Sequence, residues 1–280
     1  MQNQMKILQV NANKIRLLGL EMAYTAGSGH LGGAFSLSEI LSALYFSEMN
    51  IDPKQPDWED RDRLVLSKGH GTVALYPTLA LCGFFPIEHL STFRKPDSDL
   101  SGHAEIHVPG VDMSTGSLGH GLSCALGMAL SAKLHQQDYR TYAIVGDGEL
   151  QEGQIWEAAM FAPNKGLNNL TVIVDHNSLQ LDGPVKEIND LRDIAAKFSS
   201  FGWNTITADG HNIEDLLQAF SKARTCTDKP TVIVAKTIKG KGVSFMENNY
   251  LYHGKQPDEK GFQLAHQELE AAIAAEREEL

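Results

Sequence analysis

Tyr142-Ala143-Ile144-Val145-Gly146-Asp147-Gly148 and, one helix later, Leu170-Thr171-Val172-Ile173-Val174-Asp175-His176-Asn177 decide how this chain folds. Each begins as an apolar run of strand length, and the residues between them suffice for one helix, so the pair reads as a parallel βαβ unit. Parallel strands end on the same edge of their sheet, and ligands of open α/β sheets bind outside that edge. Asp147 and Asn177 are therefore expected to face each other there.

The residue types suit a metal diphosphate. Mg²⁺ or Ca²⁺ takes hard oxygen ligands, and a carboxylate plus an amide oxygen leave positions open for phosphates and water. Gly146 and Gly148 let the backbone approach the phosphates and present bare N–H groups to them. Gly-Asp-Gly alone is also an ordinary turn. The specificity lies in the longer string Gly146-Asp147-Gly148-Glu149-Leu150-Gln151-Glu152-Gly153, followed by Val174-Asp175-His176-Asn177-Ser178-Leu179-Gln180-Leu181-Asp182-Gly183.

Outward from this unit, glycine-rich loops alternate with helical patterns. Ile7, Val10, Ile15, Leu18 and Met22 recur at roughly helical spacing and end in the flexible loop Gly27-Ser28-Gly29-His30-Leu31-Gly32-Gly33. Ser36 and Glu39 have the spacing of a capping box for the next helix. Prolines and charges from Asp52 to Arg63 read as a surface loop, and Ser67-Lys68-Gly69-His70-Gly71 leads into an apolar helix through Leu81. A less regular region, Gly83 to Met113, holds Ser101-Gly102-His103-Ala104-Glu105, and Thr115-Gly116-Ser117-Leu118-Gly119-His120-Gly121 opens a helix to about Leu134. A glycine-rich loop before a helix start offers unpaired N–H groups to an anion.

Beyond the βαβ unit, Asn189 to Phe198 reads as helix, Trp203 to Thr207 as strand, Asn212 to Arg224 as a capped amphipathic helix and Thr231 to Ala235 as strand. Lys236-Thr237-Ile238-Lys239-Gly240-Lys241-Gly242 follows, and residues 258–280 read as a charged helix. Strands alternating with helices predict an α/β fold with a mostly parallel central sheet and helices on both faces. With 280 residues and 42% apolar content, one large core is expected, making residues 1–280 a single domain with a helical extension from about 258.

A net charge of −11 and a pI near 5.4 argue against general affinity for nucleic acid or acidic membranes. An enzyme of small anionic substrates must then concentrate positive charge locally. Cys82, Cys124 and Cys226 are widely separated, with neither metal-type nor disulfide-rich spacing, which fits a reducing compartment. The N-terminus lacks the basic and apolar regions of a signal peptide, and no apolar run is long enough to span a bilayer, so a cytoplasmic protein is expected.

Taken together, the motifs resemble the N-terminal, thiamine diphosphate-binding half of transketolases over nearly the whole chain. The resemblance rests on Ser28-Gly29-His30, Lys68-Gly69-His70-Gly71, Gly102-His103-Ala104-Glu105, Thr115-Gly116-Ser117-Leu118-Gly119, the Gly146-Asp147-Gly148 to Asn177 unit, and Tyr252-His253-Gly254, in that order. It implies that Asp147, Asn177 and the Leu179 carbonyl coordinate Mg²⁺ or Ca²⁺. Thiamine diphosphate would meet Gly116, Ser117, Leu118, Gly146, Gly148, Glu149 and Leu181. His70 and His253 would lie beside the diphosphate, and His30 and His103 would hydrogen-bond the donor sugar. Glu152 matches a family glutamate at the subunit interface. His176 and Leu31 depart from residues common in the family without removing a ligand.

A complete transketolase continues into pyrimidine-binding and C-terminal domains, so this chain looks like the N-terminal subunit of a split enzyme moving a two-carbon ketol unit between phosphorylated sugars. The resemblance implies a partner supplying the pyrimidine domain and its glutamate, inactivity of this chain alone, and a heterotetramer of two copies of each subunit. Another split thiamine diphosphate enzyme, of 2-oxo acid dehydrogenase or deoxyxylulose synthase type, shares the metal motif. A non-catalytic regulatory subunit retaining the fold is the rival of a different class. Histidines suit ketol transfer because hydroxyls must gain and lose protons near neutral pH.

Plainer readings accompany these. His89, His107, His135, His211 and His266 read as structural histidines. His120 either faces the cofactor or caps its helix. Gly121 reads equally as a close-packing glycine, and Lys239 and Lys241 read as a solvated basic loop, with contact to a phosphate as the alternative.

Overall fold

The computed structural model describes residues 2–278. In chain order the elements are α1 (Gln2–Thr25), α2 (Leu31–Phe35), α3 (Ser38–Ala43), β1 (Arg63–Leu66), α4 (Thr72–Cys82), α5 (His120–His135), β2 (Thr141–Gly146), α6 (Gly153–Asn164), β3 (Leu170–His176), α7 (Val185–Asn189), α8 (Ile194–Ser200), β4 (Asn204–Asp209), α9 (Ile213–Thr225), β5 (Thr231–Lys236) and α10 (Glu259–Glu278). The strands form one sheet in the order β1-β2-β3-β5-β4, and every pairing is parallel. Ile144, Ile173 and Ile233 lie in register across its centre, and Gly146 pairs with Asp175 at its carboxyl edge.

Successive residues of a strand point to opposite faces. Tyr142, Ile144, Ile173 and Ile233 pack on one face against Leu20, Leu41, Leu79 and Phe220 from α1, α3, α4 and α9. Ala143, Val145, Val172, Val174 and Val234 pack on the other against Leu122, Ile155, Ala162 and Phe198 from α5, α6 and α8. Burial on both faces is why these strands read as continuous apolar runs, and the expected fold class is observed. No helix among the described residues is long and apolar enough to cross a membrane.

Several local expectations are corrected. β1 begins at Arg63, where a charged surface loop is expected to end, and its four residues are too few to show a strand pattern. The loop after α1 contains α2, whose residues are all buried. Ser36 and Glu39 form no capping box: the Ser36 hydroxyl donates to Asp175 at 2.7 Å, Glu39 pairs with Arg16, and the N-cap of α3 is Leu37. The helix expected over Asn189 to Phe198 is broken: α7 ends at Asn189 and α8 starts only at Ile194, with Arg192 at positive φ between them and Asp193 capping α8 through Ala196 N. Trp203 precedes β4 instead of opening it, its indole N–H donating to Ala159 O at 2.7 Å. The capped helix expected from Asn212 is α9, with the Asn212 side chain accepting from Asp215 N. The last two residues of the expected C-terminal helix lie outside the described residues.

Candidate active site at the carboxyl edge of the sheet

Because the strands run the same way, β1, β2, β3 and β5 release their loops at one edge. Lys68 after β1, Asp147 and Gly148 after β2, Asn177 and Leu179 after β3, and Lys239 after β5 line one cavity of about 270 Å³. His30, His70, His103, Gly116, Leu118, Gly146, Glu149, Leu181 and His253 complete most of its wall. The expected residues that it does not collect are Ser117 and Glu152, both solvent-exposed. A larger groove of about 430 Å³, between α1 and α10, is lined mainly by aliphatic side chains with Lys14, Glu270 and Arg277. It lacks the convergence of strand-end loops and polar groups that marks a site.

The floor is an acidic pair. Asp147 is 2% exposed, and its oxygens accept from Gly148 N at 2.8 Å and Ser178 N at 2.5 Å, tying the end of β2 to the end of β3. Ser178 takes the left-handed φ of 63° there. Burial and the neighbouring Asp175 push the Asp147 carboxyl up to about 7. Burial also opposes ionisation of Asp175, but Lys68 at 2.5 Å and hydrogen bonds from Thr237 and Ser36 hold it below the usual carboxylate range. The Asn177 amide donates to Asp175 at 3.0 Å, and its oxygen accepts from Leu179 N at 3.1 Å.

Above this floor stand the histidines. Ring centres lie 5.1 Å apart for His30 and His70, 5.2 Å for His70 and His253, and 5.5 Å for His30 and His253; His103 is 6.4 Å from His30. Burial, then Arg94 and His103, lower His30 to about 4. Burial and Lys239 lower His253 to about 3, and burial with Lys68 holds His70 well below the usual range. These three rings are therefore neutral at pH 7. Gly116 lies against the fourth, where a Cβ would stand 3.2 Å from the His103 ring.

Lys239 contradicts its reading as solvated. It is 1% exposed, and its ammonium donates to Leu179 O at 3.1 Å and to Nδ1 of His253 at 2.7 Å. Burial and Lys68 lower its pKa to about 8. Lys68 itself, which the sequence offers only as part of a motif, is buried in the cavity wall. Glu149 is also recast: it reaches the wall, but its oxygens accept from Ser67 Oγ at 2.5 Å, Gly119 N at 2.9 Å and Gly146 N at 3.0 Å. Its carboxylate fastens three loops together and is spent on the protein. Gly121 packs against the end of β1, where a Cβ would stand 2.6 Å from Ser67 Cα. His120 is exposed at the start of α5.

The residues fit a diphosphate with a divalent cation. The Asp147 carboxylate is buried with backbone N–H partners, a charge that a cation would balance. Carboxylate, amide oxygen and carbonyl are hard donors, as Mg²⁺ and Ca²⁺ require. Among the described residues no cluster of three or more His, Cys, Asp or Glu side chains could hold a metal, so a cation here would take its remaining ligands from phosphate and water. Nδ1 of His30 is buried without a hydrogen-bond partner, an orphaned polar atom on a residue of the cavity wall.

The family described as transketolase, thiamine diphosphate binding domain, matches residues 7–273. The 6-deoxy-6-sulfo-D-fructose transketolase subunit SqwG of Clostridium sp. (strain MSTE9) is 47% identical over 271 residues, covering 96% of this chain and 98% of that protein. An apulose-4-phosphate transketolase subunit of Phocaeicola vulgatus is 40% identical over 270 residues, 96% of each. The crystal structure of Campylobacter jejuni transketolase superposes with a TM-score of 0.89 at 34% identity, covering 96% of this chain but 45% of that one. The chain thus spans under half the length of that solved transketolase.

Proposed function

The chain belongs to the transketolase thiamine diphosphate-binding family, and from that membership and its cavity we propose that it is the diphosphate-binding subunit of a split transketolase. The observation that carries this reading is the convergence of Asp147, Asn177, Lys239 and the four histidines His30, His70, His103 and His253 on one cavity. Similarity along 98% of a relative named as one subunit of a transketolase supports the split organisation. The reaction would move a two-carbon ketol unit from a ketose to an aldose, both carrying an anionic group. Phosphate is the expected anion; the 47% identity to a sulfofructose transketolase subunit supports a sulfonate in the donor as the second substrate reading.

Asp147, Asn177 and the Leu179 carbonyl would hold the divalent cation, and Lys239 and Lys68 would set positive charge beside the diphosphate. When bound, thiamine diphosphate supplies the electron sink that carbon–carbon cleavage beside a carbonyl needs. His70 and His253 would donate hydrogen bonds to phosphate oxygens. His30 and His103 would face the sugars, taking the proton from the donor hydroxyl beside the breaking bond and returning it to the acceptor's aldehyde oxygen. A neutral imidazole, as His30 is at pH 7, is the form that accepts that proton.

A partner subunit would supply the pyrimidine domain and its glutamate, with two copies of each chain and the active site between them. Exposed Leu118, Met160, Phe161 and Leu181 offer apolar surface suited to such a contact. The test is co-purification with that partner, followed by a ketol-transfer assay with and without thiamine diphosphate and Mg²⁺. Transfer only by the pair with both cofactors is expected. Robust transfer by this chain alone overturns the split reading, and an assembled pair that retains cofactor but transfers nothing favours a regulatory subunit.

A further inference from the structure

We propose that His211, outside the cavity, is a positioning residue that fixes the backbone carrying Lys239, a role that rests on the cofactor reading above. His211 sits in the turn between β4 and α9, with its side chain 12% exposed. Gly210 brings that turn against the β5 loop: its N–H donates to Lys236 O at 2.8 Å, and a Cβ there would stand 2.4 Å from the Thr237 methyl.

The imidazole is held at both nitrogens. Ile238 N donates to Nε2 at 2.8 Å, so Nε2 is an acceptor and carries no hydrogen. Nδ1 then holds the proton and donates to Glu39 Oε2 at 2.9 Å. One neutral tautomer satisfies both contacts. Glu39 is itself immobilised, paired with the buried Arg16, which also donates to Phe35 O at 3.1 Å. Rigid connections thus run from α1 and α3 through His211 to the amide of Ile238.

The next residue is Lys239. Asn248 N donates to its carbonyl at 2.9 Å, and Gly240 N donates to Gly32 O at 2.9 Å, so the peptide unit that follows the lysine is fastened at both its oxygen and its nitrogen. The His211 contact, from the turn after β4 at the same carboxyl edge, is the anchor on the amino side of the lysine, and it sets where the Lys239 side chain enters the cavity. Losing it would leave the Ile238 N–H without its partner and free the lysine that stands over Leu179 O and His253.

Two amide substitutions separate this role from a structural one. In His211→Gln the amide reaches the place of Nε2 and can accept from Ile238 N. In His211→Asn it reaches only the place of Nδ1, keeping the Glu39 donor and abandoning Ile238. Thiamine diphosphate binding, titrated calorimetrically at saturating Mg²⁺ on the complex with the partner subunit, should weaken about tenfold in His211→Asn and within about threefold in His211→Gln. Thermal midpoints of the two variants should not follow that order. In a Lys239→Met background the His211→Asn effect should largely vanish. Equal affinities for the two variants, affinity that simply tracks thermal stability, or a full His211→Asn effect without Lys239 overturns the inference. A wild-type complex that binds no thiamine diphosphate overturns the cofactor reading and the inference with it.

Discussion

Asn177 donates from its side-chain amide to Oδ2 of Asp175 across 3.0 Å, and this contact decides which end of the amide is left for the cavity. Asp175 lies near the carboxyl end of β3, fully buried, and also accepts from Lys68, Ser36 and Thr237. One carboxylate thus joins the β1 loop, the α2–α3 junction, β3 and the β5 loop. The oxygen end of Asn177 is fixed before any ligand arrives.

Asp175→Asn should be severely destabilising, because it keeps the shape but leaves the buried Lys68 ammonium without its counter-charge. The expected cost is about 3–5 kcal/mol, read from urea unfolding at pH 7. A loss below about 1 kcal/mol, the range of exposed pairs, would show that the Lys68 contact is not a buried ion pair.

Glu39 makes stability fall in acid. Burial opposes its ionisation, yet Arg16 and His211 hold its carboxyl at about 2, below the ordinary 4.5. A depressed carboxyl contributes fully above its unfolded value and loses that contribution as pH falls through 4.5 towards 2, here about 3 kcal/mol. Glu39→Gln should therefore be less stable than the wild type at pH 7, with the gap narrowing between pH 5 and pH 2. Urea midpoints across that range measure it, and a constant gap would contradict the assignment.

Gly121 and Gly127 lie on the same helix and should respond oppositely to alanine. At Gly121 the new methyl would press on Ser67 backbone, costing about 1–3 kcal/mol. At Gly127 nothing lies within 4 Å, and the gain in helix propensity should stabilise by about 0.4–1 kcal/mol. Thermal melts of both single variants check the pair; a stabilised Gly121→Ala would mean that α5 does not seat on the end of β1 as described.

The parts of the fold that are legible in the sequence are those whose environment repeats along the chain. β2, β3 and β5 are buried on both faces, so each announces itself as an unbroken apolar run. β1 has four residues and no such run to show. Ser36 and Glu39 have the right local spacing for a cap, but partners distant in sequence, Asp175 and Arg16, claim their side chains. Lys239 is the same lesson within the site. A lysine among glycines looks solvated, and only long-range packing, with Gly32 close enough that a Cβ would stand 3.1 Å from Lys239 Cγ, buries it. The histidines of the cavity are legible because each sits in a short motif at a loop; His211 looks merely structural because its two partners come from α3 and the β5 loop.

In the proposed function, Asp147, with Asn177 and Leu179 O, holds the divalent cation through which thiamine diphosphate is retained. The most direct test is equilibrium binding of thiamine diphosphate to the assembled complex, with Mg²⁺ and with chelator, for the wild type and Asp147→Ala. Tight binding is predicted only with Mg²⁺ in the wild type, and it should be lost in the variant although the variant assembles normally. Unchanged, metal-dependent retention by Asp147→Ala would contradict the assignment.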